Sequence, residues 1–171
     1  MKFKRLFVCS WVIVTLGISI GFLFYNQVGF IARVEGTSMQ PALNPYLDQD
    51  YVFLNRWIIR DKLINRGDIV TFKSPKFPNQ RLIKRVIGLS GDVIQTLGYR
   101  TEILQVPDKQ CWVEGDHIGH SMDSNSFGPI PIESITAKAT CIVWPPSRWQ
   151  NLNNFVPNSR TPLNNLNSLA G

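Results

Sequence analysis

Residues 6–25 (LFVCSWVIVTLGISIGFLFY) contain no charged side chain, and the uncharged window runs on to Ala32. A helix of that length covers about 30 Å, the hydrocarbon thickness of a bilayer. Lys2, Lys4 and Arg5 precede the run, and only Arg33 and Glu35 follow it closely. That asymmetry predicts a basic N-terminus at 1–5 and one transmembrane helix at 6–25. The N-terminus then faces the cytoplasm or matrix, and the remainder is translocated. A cleaved signal or a buried core helix would be the alternatives. A cleaved signal has a shorter apolar core and a small-residue exit. Asn26-Gln27-Val28 offers no such exit, so a retained anchor is expected.

The rest of the chain has ordinary soluble composition. With 171 residues it is sized for one domain plus appendages. At 44% hydrophobic and 18% charged it is not a disordered chain. The net charge of +6 is not gathered into a basic stripe with interleaved aromatics, so nucleic-acid binding has no support. Three Cys without a Cys-x-x-Cys pair exclude a disulfide-stapled miniprotein or a zinc ribbon.

Short apolar or β-branched runs follow the anchor, at 51–54, 68–73, 82–89, 93–96, 111–113 and 140–144. Turn signals separate them, among them Arg66-Gly67-Asp68, Ser74-Pro75, Ser90-Gly91-Asp92 and Gly128-Pro129. This pattern predicts a mainly β domain over 34–149. In Trp144-Pro145-Pro146-Ser147-Arg148-Trp149, the prolines are expected to end a strand and the tryptophans to pack. The tail, 150–171, is Asn-rich and poor in apolar residues, which predicts an extended or disordered end.

Three segments carry candidate chemistry: 35–41 around Ser38, 81–87 around Lys84, and 115–126. Neighbouring side chains on a strand point to opposite faces, so Lys84 and Arg85 cannot both face solvent. A lysine buried among apolar neighbours loses hydration and its pKa falls, which suits it to act as a general base. Arginine stays protonated and cannot do this. From the segment alone, two cations snorkelling from an edge strand are the favoured reading. Ser38 sits in a Gly- and Pro-bordered turn, and a serine needs a base to become a nucleophile. His117 and His120 are possible bases, and lysine is the alternative used by Ser-Lys hydrolases. A metal site of His117 and His120 with Cys111 and Asp116 would be a weak, loop-borne pattern.

Taken in order, these segments resemble the type I signal peptidase family of Ser-Lys proteases. Gly36-Thr37-Ser38-Met39-Gln40-Pro41 resembles its nucleophile box, and Arg66-Gly67-Asp68-Ile69-Val70 the strand box that follows. The run from Lys84 to Asp92 resembles the general-base box, and Gly115-Asp116-His117 with Ser121, Asp123 and Ser124 the last box. The match covers about 33–149. Finer features, such as Asp123-Ser124-Asn125-Ser126-Phe127-Gly128-Pro129 and the Trp144–Trp149 run, are similar to the branch of the mitochondrial inner membrane. The short connection at 74–80 leaves no room for the large extra domain of many bacterial relatives.

The resemblance implies a membrane-anchored serine endopeptidase with Ser38 as nucleophile and Lys84 as general base. It implies Ser121 as the hydroxyl that orients the lysine. Asp123 is either a second-shell support or a turn-capping carboxylate. The Ser38 backbone amide is the expected oxyanion donor. The second donor is open, because Gly36 stands where many relatives have a serine; Thr37, another amide or water would have to serve. His117 and Asn125 stand where many relatives have Asn and Arg. No cofactor or metal is expected. The implied substrates are presequence-bearing, membrane-tethered proteins bound for the mitochondrial intermembrane space. The implied partner is a second peptidase subunit in a heterodimer. The implied location is the mitochondrial inner membrane, with the N-terminus in the matrix and the domain facing the intermembrane space. A non-catalytic subunit that stabilises a partner peptidase, or a bacterial-type signal peptidase, are the alternatives. Cys111 and Cys141 could pair in an oxidising compartment; free thiols are the default expectation.

Overall fold

The computed structural model describes residues 2–46, 49–60 and 64–166. A helix, α1 (Lys2–Gln27), leads into strand β1 (Gly29–Arg33). The following strands are β2 (Tyr51–Asn55), β3 (Ile69–Lys73), β4 (Arg81–Gly88), β5 (Val93–Gln95) and β6 (Ile103–Gln105). They continue with β7 (Gln110–Glu114), β8 (Ile130–Pro131), β9 (Ile135–Trp144) and β10 (Gln150–Asn151). Short helices lie at α2 (Trp57–Arg60), α3 (Ser124–Phe127) and α4 (Leu163–Leu166). The main sheet runs β1-β2-β9-β3-β4-β7-β8, with β10 on β9, and β5 and β6 form a separate pair. The domain is mainly β, and the six runs expected from the sequence all contain strands. The expected domain start at Val34 is too late, because β1 lies inside the uncharged window. Its pairing with β2 puts Phe30 opposite Leu54 and Ala32 opposite Val52.

The expected transmembrane span at 6–25 is not supported by the described residues. Among the described residues, no helix is long and apolar enough to cross a membrane. The side chains of residues 6–10, 23 and 24 lie outside the described ones. The side chains of the continuous stretch 11–22 are described. What this stretch shows is wide exposure, with Trp11, Ile13, Ile18 and Phe22 all about two-thirds accessible. The junction with β1 is tight. The Tyr25 and Phe30 rings are 5.3 Å apart, and the Arg56 guanidinium lies over both, at 5.5 and 4.8 Å. Arg56 N donates to Val28 O at 2.9 Å.

Three apolar clusters cover the sheet. One joins Val34, Met39 and Leu43 to Val52, Leu54 and Ile142. The second gathers Val70, Phe72, Leu82, Val86, Val113 and Ile135. The third holds Ile87, Ile94, Val106 and Trp112. β4 feeds all three: Leu82 and Val86 enter the second cluster, Ile83 packs on the first, and Ile87 enters the third. Both faces of β4 are therefore covered. Alternation gives it no wet side, and Lys84 and Arg85 are both buried, at 2% and 5% exposure. Snorkelling from an edge is excluded.

Two other expectations differ from the structure. Trp144 and Trp149 are exposed, at 55% and 71%. The residue between them that the fold uses is Arg148, whose Nε donates to Asp50 Oδ1 at 2.8 Å and whose Nη2 donates to Asp50 Oδ2 at 3.0 Å. Pro145 and Pro146 do follow the end of β9 and start a 3-10 turn, which carries the guanidinium back to the chain. The tail also folds back. β10 pairs with β9, Leu152 packs on the first cluster and Val156 on the third. Composition missed the folding back of the tail because it is held largely by backbone contacts and by side chains such as Leu152, Val156 and the buried Arg160, which form no apolar pattern. Residues 167–171 lie outside the described part.

Asp50 is fully buried, and its carboxylate also accepts from Asn44 N at 2.8 Å. Removing its cation leaves an uncompensated buried charge. Arg148→Met is expected to lower unfolding free energy by about 3 kcal/mol. The Asp50→Asn/Arg148→Met pair should recover part of that loss, as read by denaturant midpoints of the detergent-solubilised chain.

Candidate active site

Ser38 sits on the turn that follows β1. The turn is built by burying its neighbours: Met39 is 2% exposed and Leu43 is fully buried in the first cluster. Gln40 N donates to Thr37 O and Leu43 N to Met39 O, which coils residues 37–43 over the core. Asn44 braces the turn from behind, its Nδ2 donating to both Val34 O and Gly36 O at 3.0 Å. Asp50 N donates back to Asn44 Oδ1 at 2.8 Å, so the brace ends on the Asp50–Arg148 ion pair. With Met39 and Leu43 pointing in, Ser38 is left facing the groove.

Lys84 reaches the same point from β4, where its register partner on β3 is the fully buried Val70. Its Nζ lies 2.7 Å from Ser38 Oγ and donates to Ile83 O at 2.9 Å. Burial strips water from the ammonium and lowers its pKa to about 8; the carboxylates of Asp123 and Asp116 oppose that shift. The geometry thus brings together the two residues singled out from separate segments. An amine that is easily deprotonated touches a serine hydroxyl.

The third segment packs beneath this contact. Gly115 lies so close that a Cβ there would overlap the Ser38 carbonyl oxygen and Ser121 Oγ. His117 N donates to Ser38 O at 3.1 Å, and the His117 ring stacks on His120 at 4.7 Å. Asp123 caps α3, accepting from Asn125 N at 3.1 Å, and also accepts from Gly115 N at 3.0 Å. Both readings of Asp123 apply: it caps the turn, and its charge acts on Lys84.

Ser121 departs from expectation. Its Oγ is buried against Gly115 and makes no hydrogen bond, and the acceptor that orients Lys84 is the Ile83 carbonyl. The hydroxyl lies under the nucleophile turn, beside the glycine, and does not contact the amine. The Ser38 amide makes no hydrogen bond among the described residues. Gly36 has φ +85° and open space within 4 Å of where a Cβ would stand. Thr37 lines the groove alongside Ser38.

The groove holds about 630 Å³. It is lined by Phe30, by the chain from Ala32 to Ser38, by the segment from Asn79 to Lys84, and by His120 and Met122. Among the described residues β1 pairs only with β2, so one edge of it carries no strand partner there.

Several supporting groups escaped the sequence reading. Arg85 makes a two-pronged pair with Asp116, at 2.7 and 2.6 Å, on the opposite face of β4 from Lys84. Its Nη1 also donates to Gly67 O at 2.8 Å. Asn44, Asp50 and Ile83 O have no local signature, because each acts through a partner distant in sequence or through the backbone. Cys111 is buried and its thiol is pushed up to about 12 by desolvation; it and Cys141 are unpaired. Among the described residues, no group of three or more His, Cys, Asp or Glu side chains could hold a metal ion.

A family model described as signal peptidase, peptidase S26, matches residues 5–103 and 95–144. The mitochondrial inner membrane protease subunit 2 of Danio rerio is 51% identical over 147 residues, covering 85% of this chain and 80% of that protein. The Saccharomyces cerevisiae protein of the same name is 44% identical, with 85% and 82% covered. A mitochondrial ATP-independent inner membrane protease subunit 1b of Arabidopsis thaliana is 36% identical, with 70% and 73% covered. A signal peptidase I crystal structure from Enterococcus faecalis overlaps 44% of this chain and 95% of its own, at 24% identity and a TM-score of 0.39. The sequence matches alone decide the assignment: the chain belongs to the signal peptidase family, peptidase S26, and is a serine peptidase.

Proposed function

We propose that this chain is a Ser-Lys endopeptidase that removes N-terminal sorting presequences from proteins delivered to the mitochondrial intermembrane space. The observation that carries the reading is the 2.7 Å contact between Ser38 Oγ and the buried Lys84 Nζ. Neutral Lys84 accepts the Ser38 proton while Oγ attacks the scissile carbonyl. The ammonium then protonates the leaving amine as the C–N bond breaks, which leaves an ester on Ser38. Lys84 takes a proton from water, the hydroxide oxygen attacks the ester, and the proton returns to Oγ as the acid leaves. The oxyanion is met by the Ser38 amide, which has no other partner among the described residues. Thr37, in the groove wall beside it, is the candidate second donor. The buried Ser121 hydroxyl is the candidate to take an N–H of Lys84 if the amine turns from the Ile83 carbonyl during turnover.

An extended peptide suits the groove, because the free edge of β1 offers backbone groups in register with a strand. The relatives named as mitochondrial inner membrane protease subunits support that membrane as the place of work and a second peptidase subunit as partner. The exposed apolar side chains of α1 support attachment to the membrane through that helix, and Lys2, Lys4 and Arg5 ahead of it favour the matrix for the N-terminus and the intermembrane space for the domain. A substrate tethered to the same membrane reaches the groove at high effective concentration.

Ser38→Ala and Lys84→Arg are each expected to lower kcat by about ten-thousandfold or more on a membrane-tethered presequence substrate. Arginine keeps the charge but cannot supply a neutral base. Wild-type cleavage by either variant would sink the mechanism. Only the neutral lysine acts as base, so kcat/KM is expected to rise with pH and level off above about 8. A profile already flat at pH 6 would exclude Lys84. Gly115→Ala is expected to push the Ser38 turn away from Lys84 and lower kcat about tenfold to a hundredfold; initial rates at saturating substrate measure it.

A further inference from the structure

Behind the dyad lies a buried charge that the mechanism does not use. Glu114 ends β7, is 4% exposed, and pairs in register with Arg85, the neighbour of Lys84 on β4. Its cation comes from the far end of the chain. Arg160, 8% exposed, donates from Nε to Glu114 Oε2 at 2.7 Å and from Nη2 to Oε1. Glu114 Oε1 also accepts from Trp112 Nε1 at 2.7 Å and Asn125 Nδ2 at 3.0 Å. The same Asn125 amide donates to Asp123 Oδ1 at 3.2 Å. Asp123 in turn holds Gly115, the residue on which the Ser38 turn rests.

The route to Arg160 is fixed along its length. Asn153 O accepts from Arg85 Nη1 at 3.3 Å. Asn154 and Phe155 lie within 2.7 Å of where a Gly67 Cβ would stand, and Gly67 itself has φ +87°. Val156 packs on the third cluster, and Asn164 Oδ1 accepts from Val93 N at 3.3 Å. The segment crosses behind β4 and β7 at the level of the dyad.

We propose that residues 150–166 form a positioning strap for the active site, anchored by Arg160. Arg160 acts through Glu114 and Asn125 to hold the Asp123 carboxylate, and through Asp123 to hold Gly115 and the charge balance at Lys84. Arg160 touches no reacting atom; it is a positioning residue. The inference rests on Ser38 and Lys84 being the catalytic pair.

The charges that bear on Lys84 are few. Asp123 and Asp116 raise its pKa, and burial lowers it. Arg85 lies on the other face of β4 and is satisfied by Asp116. His117 and His120 flank the same loop. Removing Arg160 leaves the Glu114 charge unbalanced and favours the ammonium form of Lys84. Removing the Glu114 charge while Arg160 stays does the opposite.

The test uses the full chain in the complex with which it purifies, on a membrane-tethered presequence substrate. Arg160→Met is expected to lower kcat roughly tenfold with KM little changed, and to move the acid limb of kcat/KM to higher pH. Arg160→Lys should recover part of the rate. Glu114→Gln should move the acid limb to lower pH, and Glu114→Gln/Arg160→Met should bring it back to the wild-type position. If Arg160→Met does not fold, Glu114→Gln and the charge-neutral pair carry the test. Acid limbs that stay at the wild-type position in every folded variant would overturn the proposal, even if thermal stability fell. Ser38→Ala runs alongside. Its inactivity together with unmoved limbs removes only the strap's role, whereas wild-type cleavage by Ser38→Ala removes the dyad reading and this inference together.

Discussion

The structure turns on the burial of one amine. Lys84 sits on a strand covered on both faces, and the dehydration that this imposes lowers its pKa to about 8. A lysine on a half-wet strand would titrate near the ordinary value of about 10.4 and offer far less neutral amine near pH 7. The sheet order supplies the covering: β4 lies between β3 and β7, away from either edge, and its flanks reach three apolar clusters. The nearby carboxylates of Asp116 and Asp123 limit how far the shift goes. One is spent on Arg85 and the other on capping α3.

Ser38 is held by a different logic. Ser38 depends on a chain of polar contacts that runs from its turn through Asn44 and Asp50 to Arg148. The two halves of the site thus have separate foundations. Apolar covering lowers the pKa of Lys84, and the Asp50–Arg148 ion pair braces the turn that carries Ser38. Gly115 is the place where the supports meet, because the third segment can approach the Ser38 carbonyl only without a side chain.

Much of this was legible in the sequence, and the limits have physical causes. Six strand-bearing runs could be read because period-two apolarity bounded by Gly and Pro is a local signal. Ser38 and Lys84 could be paired because four motifs stand in order. β1 was hidden because an uncharged stretch reads the same whether it faces lipid or a sheet. The wet-face alternative for Lys84 and Arg85 persisted in the sequence because alternation does not say whether a strand's second face is covered. Arg148 and Arg160 were missed because a cation's value lies in a carboxylate about a hundred or about fifty residues away. In Trp144–Trp149 the eye goes to the aromatics, whereas the fold uses the guanidinium between them.

The join between α1 and β1 has a mechanical consequence. Arg56 clasps the rings of Tyr25 and Phe30, and Phe30 belongs to the wall of the groove. These contacts tie the end of α1 to the wall of the groove. Whatever surface holds α1 also sets the height and tilt at which a scissile bond must be offered. For the tethered substrates proposed above, the distance between cleavage point and tether would then act as a selection of its own, before any side chain is read.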